Sequence, residues 1–241
     1  MGLTIHYELK TKGGIKNVRE FLKALREKAM DLPFKEVGEV IELKGDACNY
    51  NNVTEDDLRW MLIQATQTVP DPAIEGRSHQ ILPNHVIAFI TWPGPGCEAA
   101  NFGLCQYPGS IVIPYKQDLW GISSTKRIRT GFAGKWCWQS FCKTQYASDP
   151  RCGGVEHFLR CHLMVVKMLD HAKSLGILSS VSDEGEYWER RSLEALAVQV
   201  GEWNGMIAKF AGQLKDQLGE DQEMVAPITK YPNFEHLEAN Q

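Results

Sequence analysis

The chain has 241 residues, a formal charge of −4, 43% hydrophobic and 23% charged residues. A chain of this size buries roughly 70–75% of its unfolded surface without needing a disulfide or a metal, and the composition excludes extended disorder. The mild negative charge argues against a nucleic-acid coat, and no apolar run approaches the ~18 residues of a membrane span.

Leu3, Ile5, Tyr7 and Leu9 alternate with polar residues, the period of a half-buried strand. This start has neither the basic head nor the apolar middle of a secretory signal. A soluble, cytoplasmic protein is therefore expected, with its seven cysteines as reduced thiols. Thr11 to Gly14 is a turn. Asn17 is placed to cap a helix to about Asp31 with an apolar stripe of Val18, Phe21, Leu22, Leu25 and Ala29. Val37 to Leu43 reads as a second strand, completing a β-α-β unit. A polar loop over 44–54 leads to a helix from Glu55 to about Val69, capped by Thr54. Residues 70–84, with three prolines, read as irregular.

His85 to Trp92 is the strongest strand, because Val86 to Ile90 is an apolar run of the kind buried on both faces. Phe102 to Tyr107 and Ile111 to Tyr115 are further strands joined by a Pro-Gly turn. A long helix follows Gly153-Gly154 and ends near Leu175, with Gly176 as its cap. Ile177 to Ser182 is a short strand, Asp183 to Gly185 a turn, and Tyr187-Trp188 a second short strand. A last helix spans Ser192 to about Leu218, with Leu193, Leu196, Val200 and Trp203 opening its stripe. Residues 219–241 are expected as a surface-packed tail of one domain covering 1–241. The expected fold class is α+β, a mixed, mainly antiparallel sheet with helices packed on it, ferredoxin-like in part. A doubly wound α/β sheet is the alternative.

Charge is unevenly placed. Lys126, Arg127, Arg129, Lys135, Lys143 and Arg151 face one acid, Asp149, so residues 126–151 carry +5 and the rest of the chain −9. Phe132, Trp136, Trp138, Phe141 and Tyr146 are interleaved with these cations. Cations among aromatic rings suit a small anionic ligand; nucleic acid is the weaker partner for an acidic chain. His162 interrupts the apolar stripe of the long helix, and a buried imidazole needs hydrogen-bond partners. The expected anion pocket is therefore built from Arg127, Arg129, Trp136, Trp138, Lys143 and His162, with the 93–101 loop as a lid.

The sequence also supports two other classes. The first is a Cys- or metal-dependent hydrolase or transferase. Cys142, beside Lys143, or Cys161 would be its nucleophile, with His162 as partner. His157 and Cys161 share a helix face four residues apart, with Cys152 in the turn before them. Zinc would suit such ligands, although no Cys-x-x-Cys pair accompanies them. The second is a protein-interaction module. The Gly/Pro-rich loop from Trp92 to Asn101 matches neither the P-loop nor the dinucleotide fingerprint.

Overall fold

The computed structural model describes residues 3–117, 123–202 and 204–205. The opening alternation forms β1 (Thr4–Thr11), which buries Ile5, Tyr7 and Leu9 and exposes His6 and Lys10. The 3.6-residue stripe that follows forms α1 (Ile15–Met30), burying Val18, Leu22, Leu25 and Ala29. Gly14, not Asn17, is its N-cap. The second expected strand is broken in two, β2 (Glu36–Val37) and β3 (Ile41–Lys44). The break falls where Gly38 N–H donates to the Ile90 carbonyl at 2.8 Å. After two 3-10 turns, α2 (Asp56–Ala65) is shorter than its apolar pattern, because Gln67–Pro70 joins a strand pair. That pair, β4 (Gln67–Pro70) with β5 (Ser78–Ile81), fills part of the stretch expected to be irregular.

The apolar run becomes β6 (His85–Phe89), buried at every position, and is followed by β7 (Thr91–Trp92). The Pro-Gly turn does not join two neighbours in one sheet. It separates β8 (Phe102–Gln106) from β9 (Ser110–Gln117), which pairs with β10 (Ser123–Arg129) in a separate ribbon. The basic, aromatic segment holds an element that its composition did not announce, β11 (Trp136–Lys143). α3 (Gly154–Ser174) and β12 (Leu178–Asp183) fall where expected. Tyr187-Trp188 is the start of a helical turn, α4 (Tyr187–Arg190), instead of a strand. Residues 193–202 are helical, burying Leu196 and Val200. The remainder of the expected last helix and the 219–241 tail lie outside the described residues.

The fold is α+β. Six strands form the main sheet in the order β12-β1-β11-β8-β6-β3, and each neighbouring pair is antiparallel. β1 and β3 therefore run the same way with three strands between them. α3 packs on β1 and β12, α1 on β6 and β8, and the two helices touch; α2 packs on β11. No described helix is long and apolar enough to cross a membrane.

Candidate functional site

His162 lies in the middle of α3 and is fully buried. Its Nε2–H donates to Asp183 Oδ2 at 3.1 Å, and its Nδ1 shares a hydrogen bond with the Thr144 hydroxyl at 3.0 Å. The Asp183 carboxylate also accepts from Gly185 N–H at 2.8 Å and Trp188 N–H at 2.9 Å. Burial alone would raise the Asp183 pKa; the bond from His162 and the backbone donors hold it below the usual carboxylate value. Hydroxyl, imidazole and carboxylate stand in the order of a nucleophile relay. Thr144 and His162 are nevertheless both 0% exposed, so no substrate reaches the hydroxyl. The trio joins the end of β11 to α3 and β12, and the two donors on Asp183 start the turn that becomes α4.

The other residues of the expected anion pocket are dispersed. Arg127 and Arg129 are exposed on the β9–β10 ribbon, where Arg127 Nη1 donates to Ser110 Oγ at 3.4 Å. Trp136 is buried with its ring 4.9 Å from that of His85. Trp138 is core, its Nε1–H donating to the Asn101 carbonyl at 2.9 Å. Lys143 turns to Tyr146, its Nζ 3.3 Å from the phenol oxygen and 4.6 Å above the ring. These six side chains do not line one hollow.

Cys142, expected as a reactive thiol beside Lys143, is fully buried and donates to the Glu98 carbonyl at 3.2 Å. Burial pushes its pKa well up, the reverse of activation. Cys152, His157 and Cys161 do not meet a metal's needs: no group of three His, Cys, Asp or Glu among the described residues could hold an ion. Cys161 instead lies under the Gly/Pro loop. Its Sγ is 3.7 Å from the Pro93 carbonyl and 3.5 Å from His157 Nε2, whose ring also meets the Pro95 carbonyl at 3.0 Å. Cys97, on the same loop, packs against the apolar cluster that contains Cys161.

A cleft of about 550 Å³ opens between α2, the bend after β2, and the two ends of that loop. Five carboxylates line it, Glu36, Glu39, Glu55, Asp57 and Glu98, and no Lys, Arg or His does. Phe89 is buried there, Trp92 is half-buried, and Trp60 is 51% exposed. Glu39 pairs with Arg26, and Glu98 accepts from Lys143 N–H at 3.3 Å. Glu36, Glu55 and Asp57 form no ion pair among the described residues. Glu55 and Asp57 sit at the start of α2, where the helix dipole favours negative charge; Glu36, on β2, has no such compensation.

No protein-family model, curated protein or solved structure matches this chain at a significant level. Sequence reasoning missed this cleft because its walls come from four separated segments. One signal was available: Trp60 falls off the apolar stripe of Leu58, Met61, Leu62 and Ala65, so the α2 pattern itself points a tryptophan outward.

Proposed function

We propose that this protein binds a small organic cation, an amine, guanidine or quaternary ammonium, in the cleft between α2 and the 93–98 loop. One observation carries the reading: carboxylates and aromatic rings line a single concavity that has no basic side chain. A cation over a tryptophan face gains ~0.5–2 kcal/mol, more as water is excluded. Carboxylates on the surrounding walls add attraction and reject anions. The cleft volume falls within the roughly 300–1,000 Å³ of small-molecule sites.

The test is isothermal titration of the full chain with choline, spermidine and arginine amide, against succinate and inorganic phosphate. Binding of at least one cation, weakened in Trp60→Ala, supports the reading. Binding of an anion alone, abolished in the Arg127→Ala/Arg129→Ala double variant, would restore the anionic ligand expected from composition. Failure of all three cations to bind sinks the proposal.

A further inference from the structure

We propose that the outward face of the β9–β10 ribbon is a docking surface for duplex DNA, with the ribbon lying in the major groove. This inference is independent of the ligand in the cleft. Among the described residues β9 and β10 pair only with each other, so they form a two-stranded sheet of their own. Cross-strand partners share a side, and the register therefore sorts the ribbon into two faces. Ile111, Ile113 and Ile128 lie on one of them, with Lys126. Ile113 and Ile128 are buried, and Ile111 packs on the main core. Arg127, Arg129, Thr125, Val112, Pro114 and Ser110 lie on the other. Ser110 is half-buried there and the rest are exposed. The isoleucines thus seat the ribbon on the protein and turn the arginines outward.

The outer face carries charge of one sign, two guanidinium groups and no carboxylate. Neither arginine forms an ion pair among the described residues. Residues 110–129 hold Lys116, Lys126, Arg127 and Arg129 against Asp118, four positive charges less one negative, inside a chain of net −4. A negative whole-chain charge disfavours wrapping nucleic acid. It does not disfavour docking through one basic element, because the acidic remainder repels phosphates and so orients the approach.

The chemistry of the outer row favours a DNA groove over an acidic protein, which would match the arginines alone. Arg127 and Arg129 are two residues apart on one strand, about 6.6 Å along the ribbon. Guanidinium forks clamp phosphates or read guanine edges, and the hydroxyls of Thr125 and Ser110 accept either base type. Val112, 56% exposed and directly across from Arg127, offers methyl groups to a thymine methyl. A major groove ~12 Å wide admits a two-stranded ribbon, whereas the major groove of duplex RNA is too narrow and deep for side chains to read.

The experiment is fluorescence anisotropy of the full chain with a labelled random-sequence DNA duplex of about two helical turns, at low salt. Binding is expected, and methyl green, which occupies the major groove, should displace the protein where netropsin, in the minor groove, does not. Arg127→Ala/Arg129→Ala should weaken binding at least ~10-fold and flatten the slope of log affinity against log salt by about 1–2. Val112→Glu, which sets a carboxylate in the same row, should abolish binding. Lys12→Ala/Lys16→Ala removes as much charge from exposed positions at the start of α1 and should leave affinity unchanged. All these positions are exposed, and circular dichroism of each variant verifies its fold. Absence of duplex binding would overturn the proposal, as would equal weakening by the two lysine substitutions. So would polyglutamate competing as well as unlabelled duplex, single-stranded DNA or duplex RNA binding as tightly, or displacement by netropsin alone.

Discussion

Two polar constellations of this protein differ in what their charges are given to do. Around His162 both ring nitrogens are bonded and the Asp183 carboxylate accepts from His162, Gly185 and Trp188, all out of reach of water. In the cleft beside α2, Glu36, Glu55 and Asp57 face a concavity with no cationic partner among the described residues, next to a half-exposed tryptophan. A satisfied buried network fixes how elements meet, since breaking any member leaves a desolvated group unpaired. Unmatched charge around aromatic rings in an open hollow is what the proposed cation would neutralise. The residue that looked most functional in sequence, His162, belongs to the first kind.

The sharpest way to break this comparison is Asp183→Ala. Removing one partner of a buried ionic hydrogen-bond set costs about 3–5 kcal/mol, read as a fall in ΔG of urea unfolding, while choline affinity at the cleft stays the same. The same variant gives a pH signature. The folded-state pKa of Asp183 lies below the ordinary ~3.9. Its contribution is therefore complete above that pH and is lost as pH falls through the lowered value. The stability gap between wild type and variant should stay constant from neutrality to about pH 4 and narrow beneath it.

Gly103→Ala probes the closed side by sterics alone. An added Cβ would sit 2.6 Å from Ala88 Cβ and 2.7 Å from Trp138 Cε3. Overpacking of this kind costs about 1–3 kcal/mol, again seen in urea unfolding. On the open side the signs reverse. Trp60→Ala should leave unfolding within about 0.5 kcal/mol of wild type, while weakening cation binding by ~0.5–2 kcal/mol in titration calorimetry. Glu36→Gln is the mildest change. It should lower cation affinity by about 0.2–1 kcal/mol and flatten its dependence on salt, measured between 20 and 200 mM sodium chloride. If Trp60→Ala and Asp183→Ala instead moved stability and binding together, the division between the two constellations would be wrong.

Much of the local structure was legible. Leu22, Leu25 and Ala29 in α1, and Val86 to Phe89 in β6, are buried as their periodicities demand. β11 was not, because Trp136, Trp138 and Phe141 sit among cations and read as a site, while the strand forms by pairing with β1 from the far end of the sequence. Helix ends also escaped the pattern, since α4 is capped at Glu186 with its Trp188 N–H held by the more distant Asp183 carboxylate, and Gly14 caps α1 through its backbone. Within the sites, the break that His162 makes in its stripe was visible, but its partners lie 18 and 21 residues away and only the fold brings them together. Cys161 was noticed for its spacing from His157. Its contact with the Pro93 carbonyl crosses from the loop to the helix and leaves no trace in either segment.

The pairing of Tyr7 with Ser140 has a further consequence for how the chain acquires its shape. The first strand has no hydrogen-bonded neighbour in the sheet until β11 and β12 have been made. At cellular synthesis rates of ~5–20 residues per second, β1 waits on the order of ten seconds for the strand that pairs with it. Nascent chains ending before Trp136 would leave both backbone edges of β1 unpaired. Completion of the sheet around its first strand therefore awaits the second half of the chain.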